Sequence, residues 1–410
     1  MPRILEWSLK LALAFVLVVI AVRALGWVRL KLREDPAGHM LRVAYVGRSG
    51  DGPEDIGALL EPIRAKAKLP CLTAVAVRDG KVIAEGVCGV RKAGSPESAE
   101  IGDKFHLGSD TKAMTATLMA VLVEEGKLKW TTTVGEVFGA AVPGMDEEWK
   151  AVTLEQLLTH RAGAPAGLDA GGLWGRLWQM KGTPTDQRME LVAGVVSRPP
   201  DPAPGSTFVY SNAGYAIAGA MAEKVTGKAW EDLLQEKVFG PLKITSAGFG
   251  APGDAAKVDQ PRGHRSSGAA VEPGPKADNP PAIGPGGSAH MTMADWARFV
   301  LAHVRGDSAN PKRECALLNP ESYDKLHTPV GEYAMGWGVS TRGWAKGKGQ
   351  GARGVTLSHS GSNTMWYCVA WVAPERDLAI LVATNQGGNV AAKAADEAVG
   401  AMIKKIEEGK

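Results

Sequence analysis

The stretch Ser109-Asp110-Thr111-Lys112 begins a segment in which apolar residues recur at helical spacing as far as Gly126. On such a helix Ser109 and Lys112 share one face, three residues apart. The helix N-terminus also favours negative charge near the serine oxygen. A lysine held against this hydroxyl, in a site that disfavours its charge, can accept or relay a proton. A helix-capping serine and a solvated lysine would give the same short pattern.

Strand-like runs lie near both ends of the chain, and helical runs fill most of the middle. The dipeptide Asp79-Gly80 between two apolar runs favours a two-residue hairpin turn. This order predicts an α+β fold, with an antiparallel β-sheet from both chain ends flanked by helices and an all-helical lobe inserted at roughly residues 113–290. The strand-like runs are 72–77, 81–87, 366–372 and 378–384, and the further helical runs are 154–158, 213–226, 292–304 and 391–406.

Composition limits the class of protein. The chain has 410 residues, of which 45% are hydrophobic and 22% charged, which excludes a disordered, collagen-like or coiled-coil protein. A net charge of +3 is too small to indicate a nucleic-acid partner. The four cysteines form no C-x-x-C pair and H-E-x-x-H is absent, so no metal site is predicted. Glycine patterns at 284–289 and 349–354 lack the strand-turn-helix context of a dinucleotide site, so no cofactor is predicted.

Residues 1–35 resemble a signal or membrane anchor. Leu11 to Val22 is an unbroken apolar run of 12 residues, shorter than the span of about 20 that crosses a bilayer. Leu25 to Val28 can lengthen it. The run fits an uncleaved anchor, the apolar region of a cleaved signal peptide, or a buried helix. We expect the anchor, then a linker over residues 36–54. The orientation is open, because the basic residues after the run outnumber those before it and favour a cytoplasmic domain.

Two further motifs carry polar groups that suit catalysis. Tyr210-Ser211-Asn212 precedes an Ala-rich helix; a tyrosine oxygen near a lysine can act as a base, and an Asn amide can hold a lysine or a substrate carbonyl. His359-Ser360-Gly361 ends a strand, and its glycine would let a substrate chain approach the strand backbone. Taken singly, each motif is also explained by a core tyrosine with a helix cap, or by a strand-end histidine with a turn glycine.

Together, the three motifs resemble one superfamily. S-x-x-K on a helix, Y-x-N about 100 residues later and H-x-G about 150 residues further are similar to the class C β-lactamase-like serine hydrolases, which include β-lactamases, D,D-peptidases and esterases. The resemblance covers roughly residues 55–405, so we expect a serine hydrolase domain over 55–410. It extends to the phrases Phe105-His106-Leu107-Gly108, Glu125-Gly126-Lys127-Leu128, Leu157-Leu158-Thr159-His160, Pro285-Gly286-Gly287 and Met335-Gly336-Trp337-Gly338.

The resemblance implies a role for each motif residue. Ser109 would be the acylated nucleophile, and Lys112 with Tyr210 would form the base system that deprotonates it and later activates water. Asn212 would orient Lys112 and the substrate amide. The backbone N–H groups of Ser109 and Ser362 would form the oxyanion hole. The sequence therefore predicts an acyl-enzyme hydrolase of esterase or D-amino-acid peptidase type.

A β-lactamase is one alternative function. The β-lactamases of this group carry Lys where this chain has His359, and a neutral imidazole anchors a carboxylate less well than a lysine. The basic loop 342–354 could supply the missing charge, or it could be a solvated hairpin loop. A non-catalytic relative that binds peptidoglycan fragments is the other alternative; such a protein would be expected to lose Ser109 or Lys112, and both are present.

Cys71 and Cys88 are predicted to form a cross-strand disulfide. Counting outward from the Asp79-Gly80 turn places them opposite each other in a non-hydrogen-bonded pair, with Cα atoms about 4.5 Å apart, which a disulfide tolerates. Two buried thiols are the alternative. A disulfide needs an oxidising compartment. The predicted disulfide, the apolar run and the export that is usual in the resembled family together favour a membrane-anchored or secreted protein. Its catalytic domain would then be extracytoplasmic, in the periplasm. Cys315 and Cys368 have no predicted partner, and the oligomeric state is open.

Overall fold

The main sheet is built from both ends of the chain. The computed structural model describes residues 52–409, and its strands are β1 (Glu54–Asp55), β2 (Cys71–Arg78), β3 (Lys81–Gly89), β4 (Lys104–His106), β5 (Gly248–Phe249), β6 (Gly263–His264), β7 (Ala270–Val271), β8 (Ala289–Thr292), β9 (Gly338–Thr341), β10 (Val355–Gly361), β11 (Tyr367–Ala373) and β12 (Leu378–Thr384). Seven of them form one sheet in the order β1-β3-β2-β12-β11-β10-β9. Its pairs are antiparallel except β1 with β3. The predicted α+β fold is confirmed.

Helices flank this sheet and fill the region between its two halves. They are α1 (Gly57–Ala67), α2 (Thr111–Glu124), α3 (Val134–Phe138), α4 (Leu154–Leu158), α5 (Leu173–Gln179), α6 (Pro184–Val196), α7 (Asn212–Thr226), α8 (Trp230–Leu234), α9 (Gly284–Gly287), α10 (Met293–Gly306), α11 (Pro320–His327) and α12 (Asn389–Glu408). The inserted region is not all-helical as predicted, because it also contributes to two small sheets, with the orders β4-β8-β5 and β6-β7. Short paired strands of two to four residues carry no periodicity that a sequence reading detects.

The two faces of the main sheet pack against different layers. Helices α1 and α12 cover one face through small apolar residues such as Ala394, Ala395 and Ala398, which face Ile380 and Val382 of β12. The other face belongs to a larger core shared with the inserted helices. Helix α2 lies inside that core and is buried along most of its length. The N-termini of α2 and α7 carry the S-x-x-K and Y-x-N motifs, so this packing brings the motifs together.

The β2–β3 hairpin forms as predicted, but the predicted disulfide is wrong. Asp79 and Gly80 have φ values of 52° and 73°, as a type I′ turn requires. The register then shifts between Ala76 and Val77, so Cys71 pairs with Gly89 and Cys88 with Leu72. Cys71 packs into the larger core and Cys88 packs against the α1 and α12 layer. The bulge therefore turns the two thiols to opposite faces, and both are free.

Several expectations fall outside the described residues. The signal or anchor segment over residues 1–35 and the linker as far as residue 51 are among them. Within residues 52–409, every helix is too short or too polar to cross a membrane. Membrane attachment therefore stays a prediction from the sequence.

Candidate active site

Ser109 and Lys112 lie together at the start of α2. Ser109 sits in a 3₁₀ turn over Gly108–Asp110, directly before the helix, and Lys112 lies in the first helical turn. The Lys112 side chain is fully buried, and its Nζ is 3.1 Å from the Ser109 Oγ. The helix geometry predicted from the three-residue spacing is thus present, and the lysine faces the serine, away from solvent.

Only neutral oxygens complete the surroundings of the Lys112 nitrogen. Its Nζ is 2.6 Å from the Asn212 Oδ1 and 2.7 Å from the Gly286 carbonyl oxygen. Burial lowers the pKa of Lys112 to about 7, and the nearby Asp110 offsets this only in part. A neutral amine has two N–H donors and one lone pair. The donors can satisfy Asn212 and Gly286 while the lone pair accepts the Ser109 hydroxyl proton.

Asp110 does not act as a strong counter-charge to Lys112. Its carboxyl is fully buried beneath the nucleophile turn, and burial raises its pKa well above its usual range, despite a hydrogen bond from Cys368 and the charge of Lys112. The Cys368 Sγ donates to the Asp110 Oδ2 at 3.0 Å and lies 3.1 Å from the Leu107 carbonyl oxygen. Cys368, for which the sequence offered no partner, thus supports the backbone of the nucleophile turn.

Tyr210 lies on the open side of the same pair. Its hydroxyl hydrogen-bonds with Ser109, and the Lys112 Nζ is 4.7 Å from its ring centroid. Burial raises the pKa of Tyr210 to about 12, which outweighs the lowering by the Ser109 hydrogen bond. The phenol therefore stays protonated near neutral pH and can pass a proton between Ser109 and a leaving group.

His160 supports Tyr210 and was not singled out from the sequence. Its ring centroid lies 4.4 Å from that of Tyr210 and 4.9 Å from that of Tyr333. Its Nδ1 accepts a hydrogen bond from the Ser211 N–H at 3.0 Å. Burial lowers the pKa of His160 to about 2, so the ring is a neutral packing group. The phrase ending in His160 marked the resemblance, but a contact with Tyr210 across 50 residues leaves no local signal.

His359 reaches the site from the end of β10. Its Nε2 is 3.2 Å from the Tyr333 hydroxyl and its Nδ1 is 2.8 Å from the Ser360 carbonyl oxygen. Burial lowers the pKa of His359 to about 3, and the charge of Lys112 acts in the same direction. The imidazole is therefore neutral at neutral pH. Tyr333 was also missed, because only the fold places it over this histidine.

Gly361 serves a different purpose from the one predicted. A Cβ at this position would collide with the Leu107 carbonyl oxygen, so the glycine lets β10 pack directly on the nucleophile turn. It does not make room for substrate. Gly108, with a φ of 47°, likewise lets the nucleophile turn pack closely on Ser362, because a Cβ at Gly108 would collide with the Ser362 backbone nitrogen. The Ser362 hydroxyl donates to the Trp366 carbonyl oxygen, which leaves its backbone N–H as the group able to meet an oxyanion.

Two other features bear on what the site can hold. The basic residues of loop 342–354 precede β10, at the end of the strand opposite His359, so the loop does not supply a cation to the third motif. Across residues 52–409, no group of three or more His, Cys, Asp or Glu side chains is placed to hold a metal ion. The polar groups gathered at Ser109 are thus a hydroxyl, an amine, a phenol, an amide and an imidazole.

Several known proteins are similar to this chain in sequence or in fold. The family model described as Beta-lactamase matches residues 56–401. Penicillin-binding protein 4 of Amycolatopsis lactamdurans is 27% identical over 335 residues, which cover 80% of this chain and 84% of that protein. A class C beta-lactamase from Rhodobacter sphaeroides has a TM-score of 0.65 at 19% identity, over 85% of this chain and 98% of that one. A D-stereospecific amidohydrolase from Streptomyces sp. has a TM-score of 0.64 at 21% identity, over 83% and 98%.

The chain therefore belongs to the Beta-lactamase family, and the resemblance read from its three motifs is confirmed. The sequence motifs converge on one site: Ser109, Lys112, Asn212 and Tyr210 are joined by hydrogen bonds or ring contacts, and His359 borders them.

Proposed function

We propose that this protein is a serine hydrolase that cleaves ester or amide bonds through an acyl-enzyme, of esterase or D-amino-acid peptidase type. One observation carries the proposal: the fully buried Lys112 amine has only neutral oxygen partners and faces the Ser109 hydroxyl at 3.1 Å. A lysine with a pKa near 7 is matched to general-base catalysis at neutral pH. The family membership and the D-stereospecific amidohydrolase among its structural neighbours are consistent with it.

The geometry supports a two-step reaction, in which Ser109 is first acylated and the acyl-enzyme is then hydrolysed. The Lys112 amine takes the Ser109 proton, directly or through the Tyr210 hydroxyl, while the Ser109 Oγ forms a bond to the substrate carbonyl carbon. The backbone N–H groups of Ser109 and Ser362 would stabilise the oxyanion. The bond to the leaving alcohol or amine then breaks, and the leaving group takes the proton from the Lys112 ammonium. In the second step water gives a proton to the Lys112 amine and its oxygen bonds to the acyl carbon. The bond to the Ser109 Oγ then breaks, this oxygen takes the proton back from Lys112, and the acid is released.

Labelling at Ser109 tests the proposal. A fluorophosphonate should form a covalent adduct with the purified protein, and Ser109→Ala should reduce labelling by at least about 10⁴-fold, because it removes the nucleophile. The surface variant Ser206→Ala is the matched control and should label normally. A wild-type protein that labels with no acylating reagent would favour the non-catalytic peptidoglycan-binding alternative.

A substrate panel separates the remaining alternatives. A short-chain p-nitrophenyl ester, a D-Ala-D-Ala peptide and a chromogenic cephalosporin would be compared at matched concentrations. The neutral His359 anchors a carboxylate weakly, so the ester, which alone of the three carries no carboxylate, should give the highest kcat/KM. A cephalosporin that exceeded both by more than tenfold would make the protein a β-lactamase.

The proposed location of the enzyme is the membrane, with the catalytic domain outside the cytoplasm. The apolar run at Leu11 to Val22 and the exported life of related enzymes support it. The two free thiols at Cys71 and Cys88 no longer add to that argument. A compartment reporter fused to the C-terminus should be active only outside the cytoplasm, and activity confined to the cytoplasm would contradict the proposal.

A further inference from the structure

A second polar group faces the cleft beside His359. This cleft has a volume of about 450 Å³, and its lining includes Tyr210, His359 and Asp396 of α12. His359 lies on the face of the main sheet that packs against α2, whereas Trp371 lies on the α12 face, so the cleft passes around the edge of β10 beyond Ser358, where β9 no longer pairs with it. The rest of the lining is mostly aromatic and small polar side chains. The remaining lining residues are Tyr333, Gly338, Ser358, Ser360, Tyr367, Val369 and Trp371.

Asp396 carries the one carboxylate among the described residues that line this cleft. Its side chain is exposed, and no Lys, Arg or His among residues 52–409 forms an ion pair with it. Its neighbour Glu397, by contrast, pairs with Lys66 of α1 at 3.1 Å. Adjacent helical positions are rotated by about 100°, so Glu397 faces α1 while Asp396 faces β10 and β11. The carboxylate is thus left free to meet a group that enters the cleft.

The rest of the lining favours a cation over an anion. His359 is neutral at neutral pH, and no Lys or Arg lines the cleft within the described part of the chain. Tyr367 and Trp371 of β11 add aromatic rings near Asp396, and Tyr367 is held by a hydrogen bond with Ser360. A carboxylate beside aromatic rings is a suitable environment for an ammonium group.

We propose that Asp396 forms a cation-binding subsite that selects acyl groups carrying an ammonium several bonds from the carbonyl attacked by Ser109. This inference rests on the proposed hydrolase function and names its substrate class. Such an acyl group would run from the nucleophile past Tyr210 and His359, cross the edge of β10 that β9 leaves unpaired, and place its charged end at α12. An acyl group ending in a carboxylate would meet Asp396 as a like charge and would be disfavoured.

Three esters of equal reach test the subsite: p-nitrophenyl 6-aminohexanoate, p-nitrophenyl heptanoate and the mono-p-nitrophenyl ester of adipic acid. They end in an ammonium, a methyl group and a carboxylate. The ratio of kcat/KM for the ammonium ester to that for the methyl ester corrects for acyl length. Asp396→Asn should lower this ratio by about twofold to fivefold, as expected for an exposed charge pair. Asp396→Lys should invert the preference and favour the carboxylate ester.

The control is Glu397→Gln, one position along the same helix, which should leave the ratio unchanged. A ratio unaltered by both substitutions of Asp396, with turnover intact, would overturn the subsite while leaving the hydrolase proposal standing. Failure of all three esters to react, together with absence of labelling at Ser109, would overturn the hydrolase function and the subsite with it. An equal loss in Glu397→Gln would also contradict the subsite, because it would assign the effect to the helix as a whole.

Discussion

Lys112 and Arg188 are both fully buried cationic residues, yet their surroundings differ completely. The Arg188 guanidinium lies 2.5 Å from a Glu223 carboxylate oxygen and 2.7 Å from one of Glu231. Burial alone would lower the pKa of Arg188, but the bonds to the two glutamates outweigh it and raise that pKa. Lys112 has the same burial with only neutral oxygens around its nitrogen, and its pKa falls to about 7.

The comparison separates a structural cation from a reactive one. Burial disfavours the charged form of either side chain, and carboxylate partners decide whether the charge is kept. Arg188 of α6 forms ion pairs with Glu223 of α7 and Glu231 of α8, and its guanidinium does not lose its proton in a protein. Lys112 can release its proton near neutral pH, and the hydroxyl beside it is that of Ser109. The partner chemistry, more than the burial, distinguishes Lys112, the proposed base, from the structural Arg188.

The largest expected effect comes from fixing the charge of Lys112. Lys112→Arg keeps a cation that cannot lose its proton in a protein. The acylation rate should fall by about 10²–10⁴-fold at every pH, because general-base help is removed. Stopped-flow measurement of p-nitrophenol release checks this, with Lys127→Arg as the surface control. An arginine variant that retained more than a tenth of the wild-type rate would rule out Lys112 as the base.

The structural cation should instead affect stability. Arg188→Met leaves Glu223 and Glu231 without their partner, and breaking a buried pair in this way typically costs about 3–5 kcal/mol of unfolding free energy. Denaturant unfolding measures the loss. The exposed pair of Lys228 with Glu236 provides the control, since Lys228→Met should leave the stability nearly unchanged. Equal effects of the two substitutions would mean that burial does not distinguish the two pairs.

A smaller effect is expected at the third motif. His359→Lys would introduce a cation where this chain has a neutral ring, and the cephalosporin-to-ester ratio of kcat/KM should rise about fivefold through the substrate carboxylate. His359→Gln keeps the position neutral and serves as the matched control. If both variants gave the same ratio, the charge at residue 359 would have no part in selecting substrates.

Much of the fold could be predicted because its signals are local. Asp79-Gly80 predicted the hairpin, and the strand at Leu378–Thr384 and the helix at Leu154–Leu158 have the bounds read from the sequence. The bulge at Ile83 has no such signal, and it alone turned Cys71 away from Cys88. A single inserted residue reverses the face of every side chain beyond it, so the disulfide prediction failed although the hairpin was right.

The candidate site likewise combines residues that the sequence predicted with groups that have no local sequence signal. The motifs predicted that Ser109, Lys112 and Tyr210 lie in one site. The family resemblance groups these motifs although about 100 residues separate the first from the second. The Gly286 carbonyl was missed because a backbone acceptor has no side-chain signature, and Tyr333 because only the tertiary structure brings it to His359. The reason for Gly361 was misread because its contact with Leu107 spans more than 250 residues.

The central claim is that neutral partners make Lys112 a base, and Asn212→Asp tests it most directly. This variant would place a carboxylate beside the Lys112 nitrogen, now 2.6 Å from the Asn212 Oδ1, and give Lys112 the kind of partner that Arg188 has.

The measurement is the acylation rate against pH under single-turnover conditions. In the wild type the base is the deprotonated amine, so the rate should rise with pH and level off above about 7. An adjacent carboxylate favours the ammonium and should raise the pKa by about 1–3 units, moving the rising limb to between about pH 8 and 10. Asn212→Ala, which adds no charge, should leave the limb near 7. A limb at the same pH in wild type and Asn212→Asp would contradict the account.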